Sequence, residues 1–209
     1  MEKMKNKKNK AIFLDRDGVI NKPVFNPKTN EYEAPHNPKD IILFPNTIES
    51  LKELIDLKYL LFLVSNQPDH AKGKTSMENL KSVHEKIDTI FKENNIKFTE
   101  YYYCYHHPQG IIPEYSITCE CRKPGNFFIK QANLKYGLDL ANSWMIGDRD
   151  ADVYCGQSTG TKTIMIILEQ SAPMSKKSKP DYKANNLQEA VKIIKKLNKD
   201  TEENYYATT

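Results

Sequence analysis

The chain has little cysteine, no long apolar run and, beyond its first residues, no excess charge of either sign. Four cysteines among 209 residues are too few for a disulfide framework. Three of them, Cys104, Cys119 and Cys121, crowd within 18 positions, which points to a metal site in a reducing compartment. Cys155 stands apart and reads as a small buried apolar residue. The longest apolar runs, Leu60 to Val64 and Ile164 to Leu168, are far too short to cross a bilayer, and no apolar stretch of signal-peptide length follows the N-terminal lysines. A cytoplasmic protein with no membrane partner is therefore expected. Of 31 Lys+Arg against 27 Asp+Glu, residues 1–10 hold five Lys and one Glu, so the remainder is neutral. That arm reads as a solvated, disordered basic tail, and with no basic face behind it no nucleic-acid partner is expected. With 39% hydrophobic and 28% charged residues and no internal repeat, the composition suits one globular domain, expected over 11–198 and as a monomer. Residues 199–209 read as a flexible C-terminal tail, and Lys176 to Lys183 as a surface connection.

What is present is alternation. Short apolar runs at Ala11–Leu14, Tyr59–Val64, Tyr101–Tyr103, Trp144–Ile146 and Thr163–Leu168 have the signature of buried parallel strands. Segments of helical period lie between or after them, at about Asn46–Leu57, Ser76–Asn94, Asn126–Tyr136 and Asn186–Leu197. Asn46 with Glu49, and Asn186 with Glu189, have the spacing of a helix cap with its reciprocal carboxylate. Strand–helix alternation predicts an α/β fold, a three-layer Rossmann-like open parallel sheet whose ligand site lies beyond the carboxyl ends of the strands. The residues after the apolar runs are polar: Asp15-Arg16-Asp17-Gly18, Ser65-Asn66-Gln67 and Gly147-Asp148-Arg149-Asp150.

Asp15 at a strand tip, Asp17 on the turn that Gly18 permits and Asp148 from another strand end offer hard oxygen ligands of the kind Mg²⁺ takes together with a substrate phosphate. Ser65 and Asn66 add hydrogen-bond donors and Lys123 a positive charge. Carboxylate, cation and metal in one pocket suffice for phosphoryl transfer, where catalysis consists of positioning and charge stabilisation. Separately, Cys104-Tyr105-His106 and, after twelve residues, Cys119-Glu120-Cys121 supply three thiolates and an imidazole, the donor set of a closed tetrahedral zinc site, with His107 as the alternative to His106.

Phe13-Leu14-Asp15-Arg16-Asp17-Gly18-Val19-Ile20-Asn21 resembles the first motif of haloacid-dehalogenase (HAD)-type phosphatases, in the form found in the heptose 1,7-bisphosphate and histidinol phosphatase group. Val64-Ser65-Asn66-Gln67, Arg122-Lys123-Pro124 and Gly147-Asp148-Arg149-Asp150-Ala151-Asp152 resemble the second, third and fourth motifs in order, and the Cys/His cluster resembles the group's zinc loop. The resemblance implies that Asp15 is the nucleophile forming an aspartyl-phosphate and Asp17 the acid/base. It further implies that Asp15, Asp148 and the Asp17 carbonyl hold Mg²⁺, and that Ser65, Asn66, Gln67, Arg122, Lys123 and Arg149 face phosphate or substrate. Asp152 would orient its neighbours or Lys123. Structural zinc on Cys104, His106, Cys119 and Cys121 would pin the 104–121 loop beside Arg122. The substrate implied is a small phosphorylated sugar, a heptose 1,7-bisphosphate hydrolysed at its 7-phosphate. Histidinol phosphate, another small phosphate ester and a non-catalytic zinc-stabilised binding module are the alternatives. Asn21 to Pro45 is too short for a lid domain, so a capless, open crevice is expected, with selection by Lys22–Asn26, Gln67–Lys74 and the zinc loop. Pro68-Asp69-His70-Ala71-Lys72-Gly73 departs from the group's pattern: Lys72 replaces an Arg and its bidentate fork, and Asp69 brings negative charge to where a second phosphate would sit.

Overall fold

The computed structural model describes residues 8–27, 29–174 and 176–207, for the last stretch without the side chains of 201, 202 and 204–207. Residues 1–7 of the expected basic arm lie outside that range. Asn9 already bridges to Leu138 and Lys10 opens the first strand, so regular structure begins slightly ahead of the expected boundary. In chain order the elements are β1 (Lys10–Leu14), β2 (Val24–Asn26), β3 (Glu31–Glu33), α1 (Thr47–Asp56), β4 (Tyr59–Asn66), α2 (Met77–Glu93) and β5 (Glu100–Cys104). They continue with α3 (Phe127–Tyr136), β6 (Trp144–Gly147), α4 (Asp150–Gln157), β7 (Lys162–Ile166), β8 (Tyr182–Ala184) and α5 (Leu187–Ala207).

Six strands form one parallel sheet in the order β5-β4-β1-β6-β7-β8. Both faces are covered, and side-chain alternation shows how. Ile12 and Leu14 of β1, Leu61 and Leu63 of β4, and Trp144 and Ile146 of β6 point into the layer built with Leu51 and Leu54 of α1, Val83, Ile87 and Phe91 of α2, and Val191 and Ile194 of α5. Ala11, Phe13, Phe62, Val64 and Met145 point the other way, onto Ile129 and Ala132 of α3 and Cys155 of α4. Burying each large apolar side chain contributes roughly 1.5–3 kcal/mol, which is why these strands read as continuous apolar runs. The chain runs outward from β1 through β4 to β5, then returns to the far side of β1 as β6. That reversal opens a crevice at the carboxyl ends of β1 and β6.

The structure differs from the sequence expectations at five places. Lys176 to Lys183 is not wholly a connection: Tyr182–Ala184 pairs with β7 as a sixth strand. The segment after the fourth motif is a helix, α4. Asn46 does not cap α1. It adopts φ 59° and donates to Gln188 Oε1 at 3.2 Å. Asn186 Oδ1 does accept the Glu189 N–H at 2.9 Å, but Glu189 reaches back to the N–H of Asn185, not of Asn186. Finally, α5 continues to Ala207 through the expected tail, since no Gly or Pro interrupts it.

Candidate active site

The turn after β1 carries the chemistry. Gly18 has φ +89°, and a Cβ there would stand 2.3 Å from Asp148 Oδ2, so this position requires glycine on both counts. The resulting tight turn brings Asp15, at the end of β1, against Asp148, at the end of β6. Asp15, Asp148 and Asp152 are buried, with one carboxylate oxygen of each within 4.8 Å of the others. Lys123 closes the cluster: its buried ammonium donates to Asp15 Oδ1 at 2.8 Å, Asp152 Oδ1 at 2.6 Å and the Val64 carbonyl at 2.6 Å. Burial would favour the neutral amine, but the charges of Asp15 and Asp152 outweigh it and Lys123 stays protonated. Asp148 is pushed up to about 7, by burial first and then by the charges of Asp15 and Asp152. Its Oδ2 accepts from the Ser171 hydroxyl, whereas Oδ1 is buried with no hydrogen-bond partner. An orphaned carboxylate oxygen beside two further carboxylates is the donor set of a divalent oxygen-loving cation, so the residues fit magnesium.

Asp17 sits in a separate cradle. Its Oδ1 accepts from Arg16 Nε at 3.2 Å and Asn21 Nδ2 at 2.9 Å, and its Oδ2 from Arg16 Nη2 at 3.0 Å and Gln67 Nε2 at 2.6 Å. Burial raises the pKa of Asp17, but the Arg16 charge and these hydrogen bonds win and hold the carboxyl below its ordinary range. The guanidinium is itself fully buried, bonded to Gln67 Oε1 at 2.8 Å and 5.9 Å from the Tyr103 ring centre.

A cavity of about 710 Å³ opens on this cluster, a size suited to a small ligand. Its far wall contains Pro68, Asp69, Lys72, Lys74 and Arg122. The β2–β3 hairpin lines the cavity with Asn30 to Ala34 and is anchored by Glu33, which accepts from Asn26, Thr29 and Lys74. The stretch Glu169 to Ser171, with Pro173 and Met174, forms another side.

Beyond β5, Cys104, His106, Cys119 and Cys121 converge. The Sγ atoms are 3.2–3.6 Å apart and His106 Nδ1 lies 3.5 Å from Cys121 Sγ. Burial and Cys121 push the Cys104 thiol up, a tendency a bound dication reverses; three thiolates and one imidazole fit zinc. His107, the alternative, instead accepts the Gln109 N–H on its Nδ1. Arg122 Nη1 donates to the His106 carbonyl at 3.3 Å, so the loop props a cavity wall directly.

A family model described as HAD-hydrolase-like matches residues 120–190. A relative from Photorhabdus laumondii, named D-glycero-alpha-D-manno-heptose-1,7-bisphosphate 7-phosphatase, is 32% identical over 191 residues, covering 91% of this chain and 100% of its own. The chain belongs to the HAD-like phosphatases. A Vibrio cholerae relative, named for the beta form of the same heptose bisphosphate, is 34% identical over 157 residues, 75% of this phosphatase and 80% of the relative. Among solved structures, the D,D-heptose 1,7-bisphosphate phosphatase of B. bronchiseptica, complexed with magnesium and phosphate, superposes with a TM-score of 0.73 at 20% identity, covering 90% of this chain and 98% of that one.

The phosphatase thus brings Asp15, Asp17, Asn66, Arg122, Lys123, Asp148 and Arg149 to one cavity. Three expected substrate contacts have partners within the protein. Gln67 is buried, bonds Asp17, Arg16 and Ser65 through its amide, and is not among the residues lining the cavity. Asn66 lines the cavity, but its amide pairs reciprocally with the Lys123 backbone at 3.0 Å, fixing the lysine. Ser65 is buried beneath, accepting from Gln67 at 3.0 Å. Sequence reasoning passed over Arg16, although a charged residue between two motif carboxylates was a usable signal. Nothing in the sequence marked Ser171, which reaches Asp148 only through tertiary structure.

Proposed function

We propose that this phosphatase hydrolyses the 7-phosphate of a D-glycero-D-manno-heptose 1,7-bisphosphate through an aspartyl-phosphate. The observation that carries the chemistry is Asp15: a carboxylate at the tip of β1 that faces the cavity, ion-paired to Lys123 and packed against Asp148. The names of relatives aligning over nearly the whole chain support the substrate.

In the first half-reaction an Asp15 oxygen attacks phosphorus, the bond from phosphorus to the sugar oxygen breaks, and Asp17 gives that oxygen a proton. The Arg16 fork holds the Asp17 carboxyl below its ordinary range in the free enzyme, so the proton it gives is one it takes up from solvent as the arriving phosphate anion raises its proton affinity. In the second half water attacks phosphorus, Asp17 takes its proton and the bond to Asp15 breaks, releasing phosphate. Lys123 holds Asp15 in line and opposes the phosphoryl charge. Magnesium held by Asp15, Asp148 and the Asp17 carbonyl would supply further positive charge against the phosphoryl oxygens. Zinc on the Cys/His cluster would be structural, bracing Arg122 through His106. Phosphate release from both anomers of the bisphosphate and from histidinol phosphate, with and without magnesium, tests the reading. Asp15→Asn is expected to lower turnover by roughly 10³-fold or more, and Asp17→Asn to accumulate phosphorylated enzyme. Substantial turnover by Asp15→Asn would refute the nucleophile.

A further inference from the structure

The second wall of the cavity carries charges that phosphoryl transfer does not use. Lys72 and Arg122 line it, and among the described residues neither has a carboxylate within ion-pair distance. Burial, the largest cause, destabilises both charges, Arg122 adds to the effect on Lys72, and the Asp69 charge opposes it at both. Two cations without an ion-paired carboxylate, in the cavity that also holds the catalytic carboxylates, form a seat for a second anion, but Asp69 lines the same cavity. Its carboxylate is held at 2.8 Å by His36 Nε2, on the segment that follows the hairpin.

We propose that the His36–Asp69 pair sets the selectivity of the pocket for a doubly anionic substrate. With His36 protonated the pair is neutral and a second phosphate seats on Lys72 and Arg122; with His36 neutral, the Asp69 carboxylate, no longer offset by the imidazolium, repels it. The inference rests on the bisphosphate reading above and extends it to residues in which the chain departs from its group. The groups facing His36 are Asp69, from the loop after β4, Glu33 at the end of β3, and Lys74; Asp40 lines the same small cleft. Those facing Asp69 are His36, Lys72, Lys74, Arg122 and His107. The hydrogen bond to Asp69 raises the His36 pKa above its ordinary value against the opposing effect of burial, so the neutral pair persists below that raised value and is lost above it.

The test compares KM for heptose 1,7-bisphosphate and heptose 7-phosphate from pH 5.5 to 8.5 in the full-length chain. The preference for the bisphosphate is expected to fall on the order of tenfold as pH rises through the His36 titration, the effect of one unit charge a few ångströms from a phosphate. His36→Gln should hold the preference at its high-pH level throughout, whereas Asp69→Asn, which leaves His36 to titrate without its carboxylate partner, should equal or exceed the wild type's low-pH preference at every pH, with its step moved to lower pH. General damage to the fold cannot move the two variants in opposite directions. A flat wild-type profile, or an Asp69→Asn preference at pH 8.5 no higher than the wild type's, overturns the proposal. An independent arm follows the His36 imidazole by NMR with added glucose 1-phosphate: linkage requires a bound anion to raise the His36 pKa, and no change overturns the proposal. Lack of turnover on the heptose bisphosphate, with that linkage intact, would instead refute the substrate reading.

Discussion

Arg16→Met isolates the cradle of Asp17, the proposed acid/base. The substitution removes a fully buried guanidinium that makes two of the four hydrogen bonds to Asp17 and one to Gln67. Removing one partner of a buried pair leaves the other charge uncompensated, at a cost of about 3–5 kcal/mol. For a domain of this size that corresponds to a fall in Tm of roughly 6–20 °C. The loss has a definite pH signature. In the wild type the Asp17 carboxyl lies below its ordinary range, so the pair's contribution is present above the unfolded carboxylate value, about 4, and is lost as pH falls through the lower folded value. In the variant burial is opposed only by Asn21 and Gln67, so Asp17 moves upward. Urea unfolding without added magnesium should therefore show the full difference at pH 7 and a smaller one at pH 4. Arg16→Lys, which keeps charge but not the fork, should lose about half as much. A difference below about 1 kcal/mol, or one equal at both pH values, would refute the reasoning.

Two further outcomes follow from the same geometry. Gly18→Ala places a Cβ at a positive φ and 2.3 Å from Asp148 Oδ2; turnover is expected to fall by on the order of 10²-fold, with a stability loss above about 1 kcal/mol, read by kinetics and thermal unfolding. Chelating zinc should lower Tm by several degrees and raise KM more than it lowers kcat, because Arg122 hangs on the His106 carbonyl; identical melting with and without chelator would contradict a structural metal.

The sheet was legible because its central strands are buried on both faces and end in polar residues. Ala11 to Leu14 and Trp144 to Ile146 need only an apolar run, and Asp15 and Asp148 announce the tips. β8 was not, since Tyr182-Lys183-Ala184 is a three-residue edge strand with only Ala184 buried. Nor was α4, whose first turn is Asp150-Ala151-Asp152 and whose apolar face is weak. Asn46 shows the limit of spacing rules: the right residue types stood at the right interval, but a left-handed backbone and a partner on α5 took the side chain elsewhere. Within the site, residue type located the machinery but not its wiring. Gln67 and Asn66 look like phosphate donors until the structure shows their amides committed to Arg16, Asp17 and Lys123.

The buried charge cluster draws on chain segments from Asp15 to Asp152, and this orders events during synthesis. Asp15 leaves the ribosome early, yet its ammonium counterpart is made only with Lys123, and the second carboxylate that holds that ammonium later still, with Asp152. A growing polypeptide that ends before Lys123 holds Asp15 without the ammonium that restrains it, so no such fragment is expected to hydrolyse an ester by this route.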